Sequence, residues 1–206
     1  MAAGYDFVFG KGREGDVEYL KKNGETYGFD VTLVPAVKTD NGNTYSSTVI
    51  REPITEGRPL KAAEDLGHVW EIEGKVVTGD QRGRQIGFPT ANVDPGVSII
   101  PKLGVYAVWA GVPEGLTTKW YKAVVNVGRR PTFDGEGITV ETHLFDYTGD
   151  LYGKILRVAF IDFIRPEMKF DGLESIKSQI SADCIAAQEI LDEVEFNDIT
   201  SQLKRL

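Results

Sequence analysis

Between Gly79 and Asn92 the chain reads Gly-Asp-Gln-Arg-Gly-Arg-Gln-Ile-Gly-Phe-Pro-Thr-Ala-Asn, with three glycines, two arginines and a Pro-Thr turn in fourteen residues. Glycines let backbone N–H groups come close to an anion, and arginines offer forked donors to phosphate. A hydroxyl next to a carboxamide supplies neutral oxygens to a hard cation such as Mg²⁺. One reading is therefore a phosphate-handling loop. A glycine-rich hairpin connection with solvated arginines is the other, and a Gly-Arg loop alone does not separate them. Thr90 and Asn92 flank Ala91, so in an extended segment their side chains point the same way, as two ligands of one metal would. A local side-chain-to-backbone turn uses the same residue types. Phosphoryl transfer to an alcohol asks for little more than groups that hold the triphosphate and its cation, something that aims the hydroxyl, and a base for its proton. Glu141 is the candidate base. It shares one strand face with Thr139, His143 and Phe145, while Ile138, Val140 and Leu144 take the other. A solvated strand carboxylate has the same pattern.

The elements that must position these residues differ along the chain. In the first part, strands are expected at Asp6 to Phe9 and Phe29 to Val37, the latter closed by Asp40-Asn41-Gly42, with a helix from Gly15 to Lys22 between them. Ser47 is expected to cap a helix over Thr48 to Glu56 with Pro53 near its end. Pro59 then opens a helix over Leu60 to Leu66 that Gly67 stops. From Trp70 the period becomes two. Trp70, Ile72 and Val76 oppose Glu71, Glu73 and Lys75, and similar runs cover 105–110, 120–127, 138–146 and 154–163. Several antiparallel strands without intervening helices predict a small barrel. A final helix begins at a capping-box-like Asp171/Glu174, with Leu173, Ile176, Ile180, Cys184 and Ala187 as a stripe for the barrel.

Composition narrows the class. A net charge of −8 argues against a nucleic-acid partner, because phosphate-backbone affinity comes from clustered Lys and Arg. The single cysteine, Cys184, cannot form an internal disulfide, which fits a reducing, cytoplasmic compartment. No apolar run approaches the ~20 residues that span a bilayer, and no secretory signal is expected. Two histidines and one cysteine leave too few ligands for a zinc site.

Gly79, Arg82-Gly83-Arg84, Gly87 and Pro89-Thr90-Ala91-Asn92 together resemble the signature of the riboflavin kinase family. The resemblance continues in order through Asn126-Val127-Gly128, Pro131-Thr132-Phe133, Val140-Glu141-Thr142-His143, Asp150-Leu151-Tyr152-Gly153-Lys154, Ile164-Arg165-Pro166-Glu167 and Lys169-Phe170-Asp171. Gly4-Tyr5-Asp6-Phe7-Val8-Phe9-Gly10 and Ser46-Ser47-Thr48-Val49-Ile50-Arg51 resemble the closing segments of the FMN adenylyltransferase half of bacterial bifunctional FAD synthetases. That half opens, in the family, with a His-x-Gly-His type motif. The only histidines here are His68 and His143, so the adenylyltransferase half is expected to be incomplete.

The resemblance implies a mainly β fold: a small Greek-key antiparallel barrel with a C-terminal helix, preceded by a short α/β remnant of a nucleotidyltransferase domain. The division is expected at 1–66 and 67–206. The implied reaction is ATP-dependent phosphorylation of the riboflavin 5′-hydroxyl to give FMN and ADP. Implied roles are Glu141 as catalytic base, and Thr90 and Asn92 on Mg²⁺. Gly79, Arg84 and Tyr152 are implied at the nucleotide, and Arg165, Phe170 and Ser175 at the flavin. Two rivals stand beside this: a bifunctional chain that also adenylylates FMN, and a non-catalytic flavin-binding module.

Overall fold

The structure is a computed structural model and describes residues 1–38, 42, 44–79, 82–132, 135–194 and 196. The expected turn residues Asp40 and Asn41, the loop residues Asp80 and Gln81, and Phe133 lie outside the described residues. The chain divides into two compact units, Met1–Ser46 and Ser47–Leu206.

In the first unit, strands β1 (Ala2–Gly4) and β2 (Thr32–Val34) pair in parallel with Ala2 opposite Thr32, and helix α1 (Val17–Tyr27) lies between them in sequence. Asp16 caps α1 by accepting from the Tyr19 N–H at 2.8 Å, and Gly28 closes it in the left-handed region at φ 74°. Val17 and Leu20 are buried, as the helical period predicts. Of the two strands expected here, the second forms in shortened form and the first does not. Residues 6–9 form only an isolated bridge between Phe9 and Gly15. The expected strand at 29–37 shrinks to three residues because its partner has only three to offer.

The second unit opens with helices α2 (Ser47–Thr55) and α3 (Pro59–Leu66). Pro53 sits inside the last turns of α2. Pro59 opens α3, and Gly67 ends it by donating to the Ala63 carbonyl. Six strands follow: β3 (Glu71–Val77), β4 (Ala91–Val93), β5 (Gly104–Glu114), β6 (Thr117–Thr132), β7 (Gly135–Leu144) and β8 (Ile155–Arg165). They close into an antiparallel barrel in the order β3-β4-β7-β6-β5-β8. The run β7-β6-β5-β8 is a Greek key, three consecutive hairpin-linked strands with the fourth returning beside the first. A one-turn helix α4 (Arg82–Gln85) interrupts the glycine-rich loop.

The barrel interior is filled by the inward face of each strand, including Ile72, Val93, Tyr106, Val125, Val140 and Phe160. Ile54 and Ala62 of α2 and α3 join this core. The segment 47–66 therefore packs with the barrel. Helix α5 (Leu173–Glu193) covers the outer face, where Ala187 and Leu191 meet Val105, Val124 and Ile161. Its start differs from the expected capping box. Gly172 is the N-cap and no side chain caps the helix, so Asp171 stands one residue too early.

Candidate active site

Strand β7 lies between β4 and β6, and its register fixes which side chains become neighbours. Glu141 is opposite Asn92 on one side and Asn126 on the other, which makes a carboxamide–carboxylate–carboxamide row across three strands. Directly opposed side chains have Cβ atoms about 5 Å apart, so the three heads share one space. The next row, Ala91–Thr142–Val125, points the other way, into the barrel core. The candidate metal ligand Asn92 and candidate base Glu141 are thus nearest neighbours on the barrel's outer face.

The loop is pinned to this row. His143 Nδ1 donates to the Pro89 carbonyl at 2.7 Å, and Phe88 meets the imidazole edge-on at 5.7 Å. A carbonyl only accepts, so Nδ1 carries the proton and the histidine positions the Pro-Thr turn. Gly79 approaches the same place from the end of β3, where a methyl group would overlap the Asn92 carboxamide. At Gly83 a Cβ would strike the Phe88 carbonyl, so a glycine lets α4 fold back on the turn.

Two cavities meet at Thr90. The larger, about 450 Å³, lies between the loop, the outer faces of β5, β6 and β7, and α5; Thr90, Asn126, Glu141 and His143 line it. The smaller, about 90 Å³, is at the barrel mouth, lined by Arg84, Thr90, Thr142, Asp150 and Tyr152 among apolar neighbours. Among the described residues no cluster of three or more His, Cys, Asp or Glu could hold a metal. The chemistry of the donor set is instead a hydroxyl and a carboxamide beside a carboxylate. That suits a Mg²⁺ ion which takes most of its ligands from phosphates and water.

The expected flavin residues separate. Arg165 and Phe170 line the larger cavity, with the guanidinium 5.9 Å from the ring centroid. Arg165 is also committed elsewhere. Nε and a terminal nitrogen donate to the two oxygens of Asp183 at 2.8 and 2.7 Å, and Gln179 donates to the same carboxylate at 2.9 Å. Asp183 is only 4 % exposed, so this fork holds α5 to the end of β8. Ser175 is exposed, and its hydroxyl donates to the Gly172 carbonyl at 2.7 Å; the structure does not bring it to the cavity. Ile176 and Ile180, expected to pack on the barrel, line the cavity instead. Sequence reasoning gave no role to Asn126, Thr142 or Asp183. The Asn-Val-Gly motif was the one signal for Asn126.

Comparison with known proteins agrees with this architecture. The riboflavin kinase family matches residues 66–191, and the FAD synthetase family matches residues 1–49. The chain belongs to the riboflavin kinase family. It is 42 % identical over 189 residues to the bifunctional riboflavin kinase/FMN adenylyltransferase of Escherichia coli K12, covering 92 % of this chain and 59 % of that protein. The protein of the same description from Listeria monocytogenes is 38 % identical over 185 residues, 89 % of this chain and 57 % of its own length. A solved Streptococcus pneumoniae structure, described as a macrolide-efflux protein, superposes with a TM-score of 0.69 at 35 % identity, covering 90 % of this chain and 58 % of that one. The chain thus spans somewhat under two thirds of the riboflavin kinase relatives it matches. Among its described residues no helix is long and apolar enough to cross a membrane.

Proposed function

We propose that this chain transfers the γ-phosphoryl group of ATP to the 5′-hydroxyl of riboflavin, giving FMN and ADP. The observation that carries the reading is the Asn92–Glu141–Asn126 row at the edge of two cavities that share Thr90. The larger cavity is mainly apolar and within the size range of small-molecule sites, which suits the tricyclic flavin. The barrel mouth, with Arg84, Tyr152 and the adjoining glycine-rich loop, suits the nucleotide. A ribityl chain leaving the larger cavity would bring its terminal hydroxyl to Glu141. Glu141 accepts that proton as the oxygen bonds to the γ-phosphorus, and the bond to the ADP oxygen breaks in line.

Thr90 and Asn92 would hold Mg²⁺, which supplies charge neutralisation on the triphosphate when bound. Arg165 serves the flavin side through Asp183, with Phe170 beside it, and Gly79 serves the nucleotide by leaving room for Asn92. The assignment of 1–66 to an adenylyltransferase part and 67–206 to the kinase, and a cytoplasmic location, belong to the same proposal.

Titration of the 206-residue chain with riboflavin and with ADP, followed by a turnover assay with Mg·ATP, tests it. Both ligands bind and phosphate is transferred if the reading holds. Riboflavin binding without turnover marks a flavin carrier and overturns it.

A further inference from the structure

Thr142 is fully buried, and among the described residues its hydroxyl has no hydrogen-bond partner. Its cross-strand neighbours, Ala91 and Val125, are apolar and offer it nothing. Such a group is unusual, since a buried polar atom without a partner is costly and most are satisfied. A valine would fill the same volume without that cost. Thr142 also lines the barrel-mouth cavity, on the inward face of the strand whose outward face carries Glu141.

The surroundings specify what could satisfy it. Val76, Pro89, Ala91, Leu144 and Leu151 give this cavity apolar walls, and Tyr147 adds an aromatic ring. Apolar walls next to this hydroxyl, with Arg84, Thr90, Asp150 and Tyr152 lining the rest of the cavity, match a flat heterocycle, whose faces need no hydrogen bonds and whose edge does. At about 90 Å³ the space takes the edge of such a ring, with the remainder lying toward the loops. A triphosphate would instead call for the charged and backbone donors on the Arg84 side. We infer that the Thr142 hydroxyl is the polar contact to the base of the nucleotide, the residue by which the barrel interior recognises a nucleoside rather than a bare polyphosphate. The inference rests on the kinase reading and adds to it a residue that reads the base.

Thr142→Val keeps the shape and removes the hydroxyl; Thr142→Ser keeps the hydroxyl. The expected result for Thr142→Val is about 3- to 10-fold weaker ADP binding, the fold-change of one neutral hydrogen bond. Riboflavin affinity and inhibition by inorganic tripolyphosphate are expected to hold. The nucleotide-free protein is expected to melt about 2–4 °C higher, because the unpartnered group is gone. Thr142→Ser restores ADP affinity. Unchanged ADP affinity in Thr142→Val overturns this inference alone, as does an equal loss for ADP and tripolyphosphate, which would place the contact at phosphate. Absence of ADP binding by the unmodified chain overturns the kinase reading and this inference together.

Discussion

The two walls of the larger cavity are held by different forces. The proposed transfer row, Asn92–Glu141–Asn126, is set by backbone ladders, so three side chains meet because three strands are in register. The proposed flavin wall is set by one side-chain fork between Arg165 and Asp183, which ties a helix to a strand end. The difference has a consequence for mutation. A substitution in the row is expected to change chemistry and leave the ladder standing, whereas a substitution in the fork is expected to loosen the wall itself.

The largest effect is expected for Glu141→Gln, which keeps shape and hydrogen-bonding reach but removes basicity. Turnover should fall about 10²–10⁴-fold, roughly 3–5 kcal/mol of barrier, with riboflavin and ADP affinities retained. Single-turnover quench-flow measures it. A smaller loss would make Glu141 an orienting group, since a loose transition state asks little of a base.

Asp183→Ala should act in the opposite manner. It leaves a mostly buried guanidinium unpaired and should cost about 3 kcal/mol of stability in urea denaturation, with riboflavin KM rising more than kcat falls. If Asp183→Ala lowered only kcat and Glu141→Gln lowered only stability, the contrast between the walls would be reversed.

Thr90→Ala and Asn92→Ala should raise the Mg²⁺ and ATP concentrations needed for turnover, each by about tenfold, because each removes an oxygen from the proposed metal cluster. Unchanged titrations across Mg²⁺ and ATP would remove the metal from this pair.

A last effect, on thiol reactivity rather than turnover, sharpens the account of the proposed flavin wall. Burial, with the Asp183 charge second, pushes the Cys184 thiol up to about 11. The charged thiolate is the disfavoured form, so at pH 8 the folded protein should react with a thiol reagent about 100-fold more slowly than the unfolded chain. Asp183→Ala removes one of the two causes and should speed that reaction.

The same contrast explains what could be read from sequence. Strand β3 shows as a run of period two because it buries one face, and the same parity puts Glu141 and His143 on one face of β7; β5 and the middle of β8 bury both faces, one inside the barrel and one under α5, so there the period is weak. Beyond parity, register was invisible. Nothing near Glu141 in sequence says that Asn92 and Asn126 flank it, or that Thr142 is enclosed by Ala91 and Val125. The fork was hidden for a related reason. Asp183 sits in a polar stretch of α5, and only the helix's approach to β8 turns it into a buried acceptor. In the first unit, the apolar residues at 6–9 and 29–37 overstate the strands, because a strand forms only over the length that a partner supplies.

The central claim, phosphoryl transfer from ATP to riboflavin by this chain, is tested most directly by chromatographic separation of flavins after incubation with riboflavin, ATP and Mg²⁺. The account predicts FMN in step with added protein, matched by ADP, and no FAD, because neither histidine of the chain lies in the Met1–Ser46 unit. Riboflavin recovered unchanged in the presence of Mg·ATP would contradict the kinase assignment, and FAD rising in proportion to protein would contradict its restriction to that one step.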